Sequence, residues 1–150
     1  MINLRKANLS DFEQYINLRK QDILEYSKII GEKIPLAQEK QIKKEFEGML
    51  KSKAHIILVV EKDNFLIGYL TGSIIKNVWQ HSGYVDDVFV KSDFKKKGVG
   101  RHLIEGFIKF LKDNKIRKCR LGVNVKNENA INLYKKLGFK IYSYEMDKEI

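Results

Sequence analysis

At 150 residues, 43% of them apolar, the chain has the length and hydrophobic content of one domain, spanning 1–150 around a single core. Its 29 Lys and Arg against 19 Asp and Glu leave a formal charge of +10, which suits an anionic partner but is too interspersed with aliphatic residues for a disordered tail. The single cysteine, Cys119, excludes an intramolecular disulfide framework and a thiolate metal cluster, and no apolar run is long enough to span a bilayer, so a soluble, cytoplasmic protein is expected.

The first expected element is a strand at Ile2 and Leu4, followed by Ser10-Asp11-Phe12-Glu13, which reads as a capping box with Ser10 as the cap and Glu13 reaching back. A helix then carries Phe12, Tyr15, Ile16, Ile23 and Tyr26 on one stripe, Gly31 interrupts it, and a second helix follows Pro35 with Ile42, Phe46, Met49 and Leu50. From His55 the period changes to that of strands. Ile56 to Val60 and Phe65 to Ile75 flank the turn signal Asp63-Asn64 as a hairpin, and Tyr84 to Val90 is a fourth strand. A third helix shows Leu103, Ile104, Phe107, Ile108 and Leu111 on one face; Leu121 to Val125 is a fifth strand; Asn127 caps a short helix that Gly138 stops; and Ile141 to Met146 closes the chain as a strand. The order β-α-α-β-β-β-α-β-α-β implies an α/β or α+β fold with a mixed sheet covered by helices.

Two stretches carry chemistry. Val88-Phe89-Val90 feeds Lys95-Lys96-Lys97-Gly98-Val99-Gly100-Arg101, a strand running through a basic, glycine-bearing loop into a helix. Glycines at 98 and 100 remove Cβ atoms that would hold a ligand off the backbone, and the helix start offers free amides to phosphate oxygens. The stretch has neither the Gly-Lys-Ser/Thr of a P-loop nor a third glycine at the dinucleotide-binding spacing. The second stretch, Asn127 to Phe139, is explained equally well as a capped amphipathic helix with Tyr134 as a packing aromatic.

Together, Lys95-x-x-Gly98-x-Gly100 and Asn127-x-x-Ala130-x-x-Leu133-Tyr134-x-Lys136-x-Gly138-Phe139 resemble the coenzyme A loop and C-terminal helix of the GCN5-related N-acetyltransferases (GNAT). The match is close from Tyr84 to Phe139, and the element order extends it over the chain. Lys95 stands where Gln or Arg is usual, retaining charge with less rigid hydrogen bonding. The resemblance implies that the fourth and fifth strands splay, that the pantetheine arm of acetyl-CoA bonds the free edge at Val88-Phe89-Val90, and that its pyrophosphate sits on the 95–101 loop. It also implies contacts from Asn127 and Lys136, and Tyr134 as general acid to the departing thiolate. A phenol of ordinary pKa, about 10, is protonated at neutral pH and suits that role.

The attacking amine must lose a proton. Some members of the family similar to this chain use a Glu on the fifth strand, where this sequence has Leu121-Gly122-Val123. Tyr84 and Asp86 share an ideal strand face with Val88 and Val90, so the base is expected at Asp86 ahead of Tyr84, with Asp87 on the opposite face. A water relay is the alternative, as are strand-edge charges without catalytic work. His55, His81 and His102 lack zinc spacing, so no metal is expected. Cys119 reads as a buried thiol, and Trp79 and His81 as either pocket lining or hairpin tip. The basic residues Lys109, Lys112, Lys115, Arg117 and Lys118 read as a solvated helix end.

The expected activity is acetyl transfer from acetyl-CoA to a primary amine by direct attack. Two other readings stay open. One is a basic nucleic-acid-binding module, motivated by the net charge and Lys95-Lys96-Lys97 and disfavoured by the paired motifs; the other is a CoA-binding regulator without turnover. The acceptor, small molecule or protein amine, and the oligomeric state, a homodimer included, are not encoded in any motif.

Overall fold

The computed structural model describes residues 1–150 as a five-stranded sheet in the order β1-β2-β3-β4-β5, flanked by four α-helices. The strands are β1 (Ile2–Lys6), β2 (His55–Lys62), β3 (Phe65–Lys76), β4 (His81–Val90) and β5 (Cys119–Leu121); the helices are α1 (Phe12–Ile30), α2 (Glu39–Lys51), α3 (Val99–Asp113) and α4 (Glu128–Lys136). Strands β1 to β4 pair antiparallel and β5 joins β4 in parallel. Asp63 and Asn64 both adopt positive φ, 52° and 67°, the geometry of a two-residue hairpin turn whose twist matches its strands.

Each sheet face buries its own cluster. On one face, Ile56, Leu58, Leu70 and Val85 pack against Val99, Leu103, Ile104, Phe107 and Leu111 of α3. On the other, Ile57, Val59, Tyr69 and Phe89 meet Phe12, Tyr15 and Ile16 of α1 and Ile42 and Phe46 of α2. The five α3 residues repeat at helical spacing, which is why a single stripe suffices to hold this helix on the sheet. Helix and sheet approach so closely that a Cβ added at Gly72 would lie 2.4 Å from the Phe107 ring.

Three sequence expectations are corrected. The capping box before α1 is built by Asn8 and Asp11 around a short 3-10 turn, Leu9–Asp11, in place of Ser10 and Glu13. The reason is Arg5, whose guanidinium grips the Asp11 carboxylate through two 2.8 Å hydrogen bonds and so fixes which acid reaches back. Strand β5 is only Cys119–Leu121, because β4 departs from it beyond Val85 and leaves residues 122–125 without a ladder partner. Ile141 to Met146 forms no strand: residues 140–150 are exposed and make no backbone hydrogen bonds, although the Arg120 guanidinium lies 4.7 Å from the Tyr142 ring centroid. Alternating apolar residues give strand periodicity, but a strand exists only when paired.

A fourth difference lies in β4. Thr71 pairs with Asp87 while Gly72 pairs with Val85, so Asp86 is the extra residue of a β-bulge. The bulge resets the alternation. Asp86 and Asp87 both point to the α1 and α2 side, where Asp86 meets Ser73 and Asp87 meets Arg19, while Val88 and Val90 pack toward the α3 cluster. The expectation that Asp86 shares a face with Val88 and Val90, opposite Asp87, is therefore overturned.

Candidate active site

Pairing between β4 and β5 is confined to Gly83–Val85 against Cys119–Leu121, and past that point the two chains diverge. Lys91 N donates to Ile67 O, so strand alternation turns the backbone of Phe89 and Asp87 toward β3 and that of Val88 and Val90 away from it, into the gap. An unpaired strand edge thus faces a cleft of about 290 Å³, lined by Asp22 and Tyr26 of α1, Val85 to Val88 of β4, Leu121 to Asn124, and Asn127 and Tyr134. The wall formed by α1 is tied at two points: Lys126 Nζ donates to Ile30 O at 2.9 Å, and Lys95 Nζ pairs with Glu25.

At one end of the splay lies the start of α3. Gly98 occupies the N-cap with φ 83°, no side chain caps the helix, and no acid stands in its first turn. The first intrahelical bond runs from His102 N to Gly98 O, so the amides of Val99, Gly100 and Arg101 have no partner in the chain. Lys96 is also left-handed, φ 59°, and a Cβ added at Gly98 would meet nothing, which leaves the loop's outer side open. Free amides, the positive helix end and three lysines give a seat for a phosphate group. Lys95 is engaged by Glu25, Arg101 by Glu105 at 2.8 Å, and Lys97 lies over the Phe94 ring, which leaves the backbone donors and the exposed Lys96 ammonium as the loop's unpartnered groups.

Helix α4 supplies the other side. Asn127 accepts from Ala130 N at 3.3 Å as its N-cap, and Leu133 reaches to within 3.3 Å of where a Gly100 Cβ would stand, joining α4 to the first turn of α3. Tyr134 is buried, with its ring edge-on to Phe139, and lines the cleft. Burial, and secondarily the negative charge of Asp22, push its pKa up to about 12, so it is a proton donor throughout the neutral range. Lys136 is exposed in the last turn and does not line the cleft.

The carboxylates are placed by the bulge. Asp86 accepts from Ser73 Oγ at 3.3 Å, and burial raises its pKa. Asp87 pairs with Arg19 at 2.9 Å; its pKa too is raised by burial, against the pull of that guanidinium. Tyr84 is half-buried with its hydroxyl 3.0 Å from the Cβ position of Gly122, outside the cleft lining. Trp79 is 93% exposed at the tip of the β3–β4 hairpin, away from the cleft.

Sequence reasoning missed Asp22 and Arg19. Asp22 Oδ2 accepts from the Tyr69 hydroxyl at 2.6 Å, and the Tyr69 hydroxyl oxygen in turn accepts from Arg19 Nη1 at 3.3 Å. Asp22 stands between Gln21 and Ile23 on a long helix, and nothing in its spacing there marks it as part of a site. Only the fold shows that Tyr69, fully buried in β3, reaches it.

The sequence profile of the Acetyltransferase (GNAT) family matches residues 21–139. The chain is 29% identical over 146 residues to an N-alpha-acetyltransferase of Sulfurisphaera tokodaii, covering 91% of this chain and 79% of that protein. A tetramutant of the BH1408 protein from Bacillus halodurans superposes with a TM-score of 0.88 at 19% identity over 99% of both chains. AAC(6')-Iy in complex with a bisubstrate analogue, CoA-S-monomethyl-acetylneamine, superposes with a TM-score of 0.83 at 17% identity over 100% and 98% of the two chains. On a profile match that spans residues 21–139, and with splayed strands that hold a buried tyrosine in their cleft, this chain belongs to the GNAT acetyltransferase family and is an acyltransferase.

Proposed function

We propose that the protein transfers the acetyl group of acetyl-CoA to a primary amine by direct attack within a ternary complex. The observation that carries this reading is the splay that sets the free β4 edge and the buried Tyr134 on one cleft, with the unpartnered amides of residues 99–101 next to the end of that edge, where a Gly100 Cβ would stand 3.8 Å from Val90. The amides of Val99, Gly100 and Arg101 receive the pyrophosphate, with Lys95, Lys96 and Lys97 supplying positive charge around it. Backbone groups of Val88 and Val90 hold the pantetheine arm as an added strand would be held, Phe89 packs beneath that edge, and Asn127 borders the arm's path, while Lys136, outside the cleft lining, is left without a part in holding the arm.

In this reading the amine's proton passes to Asp86, directly or through water, with Tyr84 the second choice. The neutral nitrogen forms a bond to the thioester carbon, the C–S bond breaks, and Tyr134 gives its proton to the leaving sulfur. The acetyltransferase names of similar proteins and the family match support the acyl transfer; the base rests on the geometry of the bulge. The test is CoA release over a panel of primary amines together with calorimetry of CoA binding. Amine-dependent release is expected; CoA binding without release from any amine would convert the reading to that of a CoA-binding regulator.

A further inference from the structure

Of the acidic groups lining the cleft, Asp22 alone has neither a cationic partner nor a place in the chemistry described above. Asp87 has Arg19, and Asp86 lies on the bulge beside Ser73. Asp22 is held from behind: Tyr69, which is fully buried, donates to Oδ2, while Oδ1 has no partner in the chain and opens onto the cleft that Tyr134 also lines. A carboxylate oriented by a rigid donor, with its second oxygen presented to a solvent-filled gap, is a preorganised acceptor for one N–H group. We propose that Asp22 is the anchor for the acceptor's ammonium, and that the acceptor is a cationic amine carrying no carboxylate beside its nitrogen.

The second half follows from what surrounds the anchor. Asp86 and Asp87 line the same cleft, so a carboxylate one or two carbons from the amine would face three acids while gaining only Arg19, whose Nη1 is committed to Asp87 and Tyr69 and whose Nε is buried out of reach of solvent. The inference rests on the acetyl-transfer reading, since it names which amine that site takes.

The groups facing Asp22 are Tyr69 from β3, Asp87 from β4, Arg19 on its own helix, Lys95 from the loop before α3 and Tyr134 from α4. Burial is the largest influence and raises its pKa to about 6, against the Tyr69 hydrogen bond, which lowers it. The anchor is therefore charged above about pH 6 and neutral below it.

The experiment compares amines that differ by a carboxylate: 1,3-diaminopropane with β-alanine, and glycinamide with glycine. Wild type is expected to favour the first of each pair in kcat/KM by about tenfold or more, with an acidic limb near the pKa of the anchor. Asp22→Asn still accepts from Tyr69 and should raise the KM for 1,3-diaminopropane about tenfold, change kcat little, leave CoA affinity intact and remove the acidic limb from 1/KM, while the limb that Asp86 gives kcat stays. Tyr69→Phe, which frees the anchor, should move the limb to higher pH, and Asp22→Glu should recover part of the KM. A folded Asp22→Asn enzyme with unchanged KM and pH profile, or a wild type that prefers glycine and β-alanine, overturns the inference and leaves acetyl transfer standing. CoA binding with no amine acetylated brings down both.

Discussion

At the scale of single residues, Tyr134 and Asp86 separate by the direction of their effects. Tyr134 packs against Phe139 and its pKa of about 12 keeps the hydroxyl protonated, so Tyr134→Phe should retain CoA affinity and lower kcat roughly 100-fold, the size expected of one general acid. The wild-type rate should show no alkaline decline attributable to this group in any ordinary assay range. Unchanged turnover of an accepted amine in Tyr134→Phe would leave it a packing residue. Asp86, whose carboxyl is raised by burial, must ionise to accept a proton, so its contribution grows with pH on the acidic side; Asp86→Asn should reduce kcat while leaving the KM of the amine nearly unchanged. If Asp86→Asn keeps full activity and Tyr84→Phe does not, the proton leaves by Tyr84.

At the scale of elements, the position of α3 against the sheet and the shape of its first turn make opposite demands on glycine. Gly72→Ala would push a Cβ into the Phe107 ring, and because Phe107 is fully buried the cost should be about 1–3 kcal/mol, read from denaturant unfolding, with little change in CoA affinity of the folded fraction. Gly98→Ala meets no atom but must hold φ near 83°, which costs a residue with a Cβ about 1–2 kcal/mol and is relieved by turning the loop. CoA binding measured by calorimetry should therefore weaken for Gly98→Ala and persist for Gly72→Ala. The loop and α4 were legible in the sequence because each is specified by residues within a short window. Elements fixed by partners elsewhere were not: the Asn8 and Asp11 cap depends on Arg5, the end of β5 depends on where β4 turns away, and Ile141 to Met146 has the alternation of a strand without an edge to join. The bulge at Asp86 is the costliest of these for function, because a one-residue offset against β3 brings Asp87 to the cleft beside Asp86 and leaves Tyr84 outside it.

At the scale of the molecule, charge is divided: lysines crowd the loop before α3, while Asp22, Asp86 and Asp87 gather in the cleft beside it. Asp22 has a pKa raised from 3.8 to about 6, so between those values the folded protein holds a proton that the unfolded chain has released. Its contribution therefore makes stability fall as pH rises through that window, and Asp22→Asn should remove that part of the slope in melts taken across it. An identical pH dependence in the variant would place the carboxyl in water. The splay of β4 from β5 has a consequence in isotope exchange as well. Val88 and Val90 lie in a strand whose other face is packed, yet their amides have no ladder partner on the open side. In deuterated buffer these two should exchange early while Phe89 between them exchanges late, a fast-slow-fast signature within three residues that saturation with CoA should convert to uniform protection.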